Sequence, residues 1–358
     1  GSVGKTGTKE MLRLAFTSFG STHAPEKSFN NHWGVPLTLA RMPKDTAFGV
    51  FEIGMNHPGE ITPLSRMVRP QAAIVTTVAP VHLGQFSSVD EIAAAKAEIF
   101  EGLGAGGVAI LNRDNGYFAF LADRAGARQA SVLSFGRDAK ADCRLLDMDA
   151  DASGSLSQIN VAGQHIELRL RVPGAHLVQN ALAVLLAVHV AGQDVRAAAS
   201  ALEAFAVPEG RGVSERLAVD GGQVLLIDES YNANPASMSA ALSVLGLPRE
   251  GVERRIAVVG DMLELGETGP ELHAALAHDV ETAGIDCVFA CGPLMSHLHD
   301  ALSEDRRGGY AESAEHLTPM VLNAVRPGDA VMIKGSLGSR MGPLLAALKS
   351  HLIENQRV

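Results

Sequence analysis

Short β-rich runs alternate with helical patterns through most of this 358-residue sequence. AFGVFEIG (47–54), AAIVTTV (72–78) and GVAILN (107–112) read as strands, with SVDEIAAAKAEIFEGL (88–103) as a helix among them. Parallel strands cannot be joined by hairpins, and a helix is the usual crossover. The alternation therefore predicts a mostly parallel α/β sheet covered by helices. Residues 137–173 break the rhythm. DCRLLDMDADASGSLSQINVAGQHIELRLRV reads as short antiparallel strands, a small β-insert on the sheet's edge. A helical stretch at about 175–204 leads to AVPEGRGVSERL (206–217), whose proline and glycines mark a junction. Beyond it QVLLIDES, RRIAVVGDM, DCVFACG and DAVMIKGS each read as a strand followed by a helix, a second, doubly wound arrangement. Two domains are expected, 1–207 and 208–358.

The sequence opens GSVGKTGTKEM. Gly1, Gly4, Lys5 and Thr6 spell Gly-x-x-Gly-Lys-Thr ahead of a helix-forming run. Glycines let backbone amides turn toward phosphate oxygens, Lys5 would neutralise the terminal phosphates, and Thr6 would offer a hydroxyl to Mg²⁺. The spacing is shorter than the standard phosphate loop, and a glycine turn with a helix cap is the alternative.

A phosphate site of this kind needs a carboxylate from a neighbouring strand. Glu52 stands near the end of the apolar run GVFEI, where burial costs several kcal/mol (roughly) unless the charge meets a cation. An edge-strand glutamate facing water is the alternative. His82 lies in the loop after another strand, at the end where ligands gather in open α/β sheets. Lys96 is a sharper signal. Its helical neighbours three and four residues away, Ile92, Ala93, Ile99 and Phe100, are all apolar, so it lies on a buried face or snorkels from its edge. A free lysine of pKa ~10.4 is neutral in only about one molecule in 2,500 at pH 7. Burial lowers that pKa and makes the neutral amine plentiful, and a neutral amine adds CO₂ to form a carbamate.

Composition narrows the partners. Hydrophobic residues make up 46% and charged residues 20%, a globular profile, and the formal charge of -10 disfavours nucleic acid. The longest apolar stretch, ALAVLLAVHVAG (181–192), is too short to span a bilayer. Cys143, Cys287 and Cys291 contain no CxxC pair, which argues against disulfides and zinc and for a reducing cytoplasm. A monomer without membrane association is expected.

Together GSVGKT, FEIGMNHPGEI (51–61), the loop histidine and AAKAEIF (94–100) resemble the Mur ligase family, ATP-dependent amide-bond ligases of peptidoglycan precursor synthesis. FNNHWGVPLTL (29–39), DESYNANPASM (228–238), VVGDMLELGETGPELH (258–273) and KGSLGSRM (334–341) resemble signatures of the member that joins D-Ala-D-Ala to UDP-N-acetylmuramoyl-tripeptide. The resemblance runs from end to end. It implies a P-loop-type central ATPase domain followed by a Rossmann-like C-terminal domain. It also implies that the family's first, UDP-sugar-binding domain and the strand ahead of the loop are missing. On that reading the loop would be ordered only at a cost on binding ATP, and this sequence alone would not ligate.

By resemblance, Gly1, Gly4, Lys5 and Thr6 serve ATP, Thr6 and Glu52 hold Mg²⁺, and His82 with carbamylated Lys96 holds a second Mg²⁺. Lys5, His82 and Lys96 are the implied catalytic residues. His176 and Asn180 match the adenine-side helix, and Arg211, Asp228 and Tyr231 are implied nucleotide contacts. Asn31, Asn232, Asn234, Lys334 and Ser336 are implied substrate contacts. Asn232 and Asn234 equally fit a turn before a helix begun by Pro235, and Lys334 with Ser336 fits a strand-end turn. Leu177 and Thr77 replace frequent asparagines, and Glu229 replaces a frequent aspartate. A folylpolyglutamate synthetase-like ligase, a P-loop ATPase or kinase switch, and a non-catalytic nucleotide-binding fragment are the rival readings.

Overall fold

The computed structural model describes residues 1–81 and 83–354. Those in 1–80 and 85–206 form one compact unit, and those in 81–84 and 207–358 form a second.

The first unit begins with α1 (Lys5–Thr17), β1 (Thr22–His23), α2 (Gly34–Arg41) and β2 (Phe48–Gly49). It continues with α3 (Ile61–Val68), β3 (Ala72–Val75), α4 (Val89–Ala97), β4 (Val108–Asn112), α5 (Phe118–Gly126) and β5 (Ser131–Gly136). Then come β6 (Cys143–Asp151), β7 (Gly154–Val161), β8 (Gln164–Leu170), α6 (Ala175–Val190) and α7 (Val195–Leu202). Strands β3 to β6 pair in parallel in chain order, and β6, β7 and β8 continue the same sheet as antiparallel hairpins at its edge. That is the β-insert expected from the broken rhythm. Helix α6 is apolar on every side and accordingly buried on every side from Ala181 to Val188. No helix among the described residues is long and apolar enough to cross a membrane.

The run at 47–54 is shorter as a strand than its composition suggests. Ladder pairing joins Phe48 to Thr22 and Gly49 to His23, and one further bond carries Val50 N–H to His23 O at 2.8 Å. The partner gives out there, because Pro25 has no N–H to offer. Glu52 thus stands just past the paired strand. The helix expected over 88–103 also divides, into α4 and a tighter turn at Glu98–Gly102.

The second unit contains β9 (Val213–Val219), β10 (Gly222–Glu229), α8 (Pro235–Gly246), β11 (Arg254–Gly260), α9 (Gly269–Thr282) and β12 (Cys287–Cys291). It ends with α10 (Met295–Ala301), β13 (Arg307–Ala311), α11 (Ala314–Ala324), β14 (Asp329–Lys334) and α12 (Met341–Glu354). The sheet order is β13-β12-β11-β14-β10-β9, parallel except for β9. Its central strands are apolar on both faces, as a sheet covered on both sides requires. Leu225 and Ile227 of β10 pack with α8, α9 and α10, while Val224 and Leu226 pack with α11 and α12. Ala330 and Met332 against Val331 and Ile333 repeat that alternation on β14.

Candidate active site

Gly4 sits at φ 82° immediately before α1, a left-handed conformation that glycine adopts without strain. A Cβ there would also lie 2.6 Å from Asn180 Oδ1, so glycine is needed twice over. The first turn of α1 carries no acidic side chain, which leaves its positive end available to an anion. The loop is held by residues 76–79. Ser2 N–H donates to Thr77 O at 2.8 Å, Ser2 Oγ donates to Ala79 O at 3.0 Å, and Ala79 N–H donates back to Ser2 Oγ at 2.9 Å. Thr76 Oγ1 donates to Val3 O at 2.5 Å. The loop thus has a neighbour to fix it, through these four bonds to residues 76–79. Thr77 belongs to this anchorage too, since its Oγ1 accepts from Asn115 Nδ2 at 2.9 Å.

Lys5 Nζ folds back on Gly1 O at 2.9 Å. Thr6 is 7% exposed, and its hydroxyl lies 3.0 Å from Ser28 Oγ. Glu52 is 4% exposed; its Oε1 accepts from Asn30 Nδ2 at 2.7 Å. Its Oε2 is buried with no hydrogen-bond partner among the described residues. Gly1, Lys5 and Glu52 share the lining of a cavity of about 880 Å³ with Phe48, Phe51 and Ile74.

An orphaned buried carboxylate oxygen is costly unless a cation completes it. No group of three or more His, Cys, Asp or Glu that could hold a metal occurs among the described residues. Mg²⁺ beside a nucleotide asks for less: one or two carboxylates, phosphate oxygens and waters. Thr6 and Glu52 fit that need.

Lys96 is 5% exposed; on α4 Ile92 and Ala93 are at 0%, and in the tighter turn that follows Phe100 is at 1% while Ile99 is half-buried. Burial, with the Lys5 ammonium adding to it, pushes its amine well below the usual lysine range. His82 lies outside the described residues. Asn180, 7% exposed, reaches Gly4 from α6, and His176 is exposed on the first turn of the same helix. Leu177 turns into the core. Asn31 accepts from Trp33 N–H at 3.1 Å and Gly34 N–H at 2.9 Å, holding the start of α2.

In the second unit the Arg211 guanidinium lies over the Tyr231 ring, 4.3 Å from its centroid. Tyr231 N–H donates to Gly210 O, and Gly212 N–H donates to Asp228 O at 2.7 Å, so the three implied nucleotide contacts cluster. Asp228 Oδ1 accepts from Ser230 N–H and Oγ. Asn234 caps α8 in a reciprocal box: Ser237 N–H donates to its Oδ1 at 2.9 Å, and Asn234 N–H donates to Ser237 Oγ at 3.0 Å. Lys334 Nζ donates to Glu229 Oε2 and Asn232 O, each at 3.0 Å. Ser336 Oγ accepts from Leu263 N–H at 3.0 Å and donates to Ala233 O at 3.4 Å. Lys334 and Ser336 are 2% and 5% exposed, whereas Asn232 and Tyr231 are exposed. The buried pair thus supports the loop that presents the exposed pair.

Sequence reasoning missed several residues. Ser28 and Asn30 touch Thr6 and Glu52, and the doublet Asn30–Asn31 was the available signal. Glu98 accepts from the N–H groups of Gly59, Ile61 and Thr62 and so holds the NHPGE loop at the head of α3. His273 is wholly buried between Met262 N–H and Gly269 O.

A glycine-rich loop capping a helix, with a buried carboxylate joined to its threonine through the Ser28–Asn30 turn, within an α/β unit, defines a P-loop-type nucleotide-binding protein. The Mur ligase middle domain model matches residues 1–188, and the Mur ligase, glutamate ligase domain model matches residues 215–337. The chain belongs to the Mur ligase family. It is 32% identical over 98% of its length to the UDP-N-acetylmuramoyl-tripeptide--D-alanyl-D-alanine ligase of Escherichia coli (strain K12), covering 76% of that protein. The Rickettsia prowazekii (strain Madrid E) ligase of the same name is 30% identical over 96% of this chain and is also covered to 76%. The crystal structure of MurF from Acinetobacter baumannii superposes with a TM-score of 0.89 at 29% identity, covering 98% of this chain and 75% of that one.

Proposed function

We propose that the chain is an ATP-dependent ligase that adds D-Ala-D-Ala to UDP-N-acetylmuramoyl-tripeptide in cytoplasmic peptidoglycan precursor synthesis. The observation that carries this is that Lys5 and orphaned Glu52 line one cavity, with Thr6 joined to Glu52 through the Ser28–Asn30 turn, in a chain aligned over 96% and 98% of its length with two D-alanyl-D-alanine ligases. A folylpolyglutamate synthetase-like reading is not favoured, because those relatives take a D-alanyl dipeptide. In this proposal the amides of Gly1 and Gly4, with Lys5, bind the ATP phosphates. Thr6 and Glu52 would hold Mg²⁺, and His82 with Lys96, once carbamylated, would hold a second. His176, Asn180, Arg211, Asp228 and Tyr231 contact the nucleotide. Asn31 serves the tripeptide side and Asn232 the dipeptide side, with Asn234, Lys334 and Ser336 shaping the latter's loop. The working form is a monomer.

The tripeptide carboxylate oxygen bonds to the γ-phosphorus of ATP as the bridging P–O bond breaks and ADP leaves. The D-Ala-D-Ala amine then attacks the acyl carbon, loses a proton, and inorganic phosphate departs with the electron pair. Mg²⁺, when bound, supplies charge neutralisation at the phosphoryl oxygens. Lys5 adds a positive charge beside the loop, whose bonds to residues 76–79 limit the reorganisation that accompanies the transfer. Burial lowers the pKa of the Lys96 amine and so favours the neutral form that can bond CO₂.

The test combines ATP, Mg²⁺, UDP-N-acetylmuramoyl-tripeptide and D-Ala-D-Ala, with mass spectrometry of the nucleotide-sugar product. Amide product and phosphate release that require all four are expected. Product with glutamate instead of D-Ala-D-Ala would overturn the reading.

A further inference from the structure

The turn at Ser28–Asn30 touches both groups assigned to Mg²⁺, and neither contact was expected from sequence. It is closed by Asn30 N–H donating to Ser28 O at 3.0 Å. On one side Ser28 Oγ meets Thr6 Oγ1 at 3.0 Å. On the other, Asn30 Nδ2 donates to Glu52 Oε1 at 2.7 Å. A third bond, Gly54 N–H to Asn30 O at 2.8 Å, ties the turn to the backbone two residues beyond Glu52. Close packing reinforces it, since a Cβ on Gly54 would come 3.0 Å from Asn30 Cγ.

Each contact acts on a different degree of freedom. A hydroxyl that ligates a cation must give the metal a lone pair and send its proton elsewhere. Ser28 Oγ is the acceptor within reach of Thr6. A carboxylate that ligates through one oxygen is best fixed by a donor on the other. Asn30 is that donor, and Glu52 Oε2 is the oxygen left bare. Partners of this kind orient metal ligands and tune their affinity.

We infer that Ser28 and Asn30 are positioning residues that preset Thr6 and Glu52 for the Mg²⁺ of a bound nucleotide. This rests on the nucleotide–Mg²⁺ reading of the loop. It goes beyond it in assigning the turn a share of the metal affinity that is separable from nucleotide binding. Residues 22 positions from each ligand thereby set how tightly the loop takes a divalent cation.

The experiment is calorimetric titration of ATP into the protein with EDTA, and again over a series of Mg²⁺ concentrations, for wild type, Ser28→Ala, Ser28→Thr and Asn30→Ala. The Mg²⁺ concentration giving half of the metal-dependent gain should rise roughly tenfold in Ser28→Ala and in Asn30→Ala. Metal-free ATP affinity should stay within about twofold of wild type, because the loop amides and Lys5 are untouched. Ser28→Thr, which keeps the hydroxyl, should restore the wild-type Mg²⁺ dependence. An equal loss with and without Mg²⁺, or failure of Ser28→Thr to restore what Ser28→Ala loses, would overturn the inference and leave the turn a scaffold of the loop. Unchanged Mg²⁺ dependence in both alanine variants would overturn it as well. A wild type whose ATP affinity gains nothing from Mg²⁺ would overturn the metal role of Thr6 and Glu52 itself. Thermal midpoints of each variant distinguish a local change from loss of fold.

Discussion

Lys334 Nζ lies 3.0 Å from Glu229 Oε2, and the lysine side chain is only 3% exposed. The pair joins the ends of β14 and β10, adjacent parallel strands in which Glu229 stands opposite Lys334. The same ammonium also holds Asn232 O. Lys334→Met leaves a half-buried carboxylate unpaired and should destabilise the second unit by about 3 kcal/mol, the lower end for a broken buried pair. Urea unfolding measures it. D-Ala-D-Ala affinity should fall in the same variant, because Asn232 loses its anchor. Unchanged unfolding together with weakened dipeptide binding would instead mean that Lys334 touches the ligand.

Lys96 should carry a carbamate. Protein equilibrated with ¹³C-bicarbonate should give one carbamate carbonyl signal that is absent from Lys96→Ala. Ligation should be abolished in that variant and partly restored by short carboxylic acids that fill the emptied space. A wild-type spectrum without the signal at saturating bicarbonate would rule the modification out.

Asn234→Ala should cost about 1 kcal/mol of stability, the usual loss of a helix N-cap, and Asn234→Ser should recover most of it. If the cap is its whole role, the dipeptide KM returns with the serine. A dipeptide KM that stays raised in Asn234→Ser, with stability recovered, would place the amide against the ligand.

His273 predicts a pH dependence. Its Nε2 accepts the Met262 N–H at 2.9 Å, and Nδ1 therefore carries the proton toward Gly269 O at 2.6 Å. Protonating Nε2 would break the first bond. Burial holds the imidazole below its ordinary pKa, against the opposing pull of the Gly269 carbonyl and Asp261. Between the folded and unfolded pKa values the unfolded chain binds more protons, so stability falls as pH falls. The contribution is complete above the unfolded value of ~6.5 and is lost as pH drops through the folded value. The unfolding midpoint should decline from pH 6.5 downward, less steeply in His273→Gln. Parallel pH profiles for the two proteins would contradict this.

These residues show what a sequence displays and what it hides. Burial of Lys96 was legible because a helix brings residues three and four apart onto one face, and all four such neighbours are apolar. The alternating apolar runs of β10, β11 and β14 were legible for the same kind of reason. Strand β13, RGGYA, was not: two of its five residues are glycines, and only pairing with β12 makes it a strand. Strand β9 overlaps the glycine-marked junction and takes its conformation from the antiparallel ladder with β10. Ser28 and Asn30 were invisible in their roles because a loop has no period, and the oxygens they orient lie 22 residues away in either direction.

Trp33 is the sole tryptophan of the chain and is 77% exposed. It stands three residues after Asn30, and its backbone N–H donates to Asn31 Oδ1. All indole emission therefore originates beside the Ser28–Asn30 turn, in water. A solute that settles against that turn will shift the emission to shorter wavelength or quench it, and an event elsewhere that leaves the turn alone will not. Within this sequence Trp33 is an unlabelled optical reporter of the phosphate-loop side.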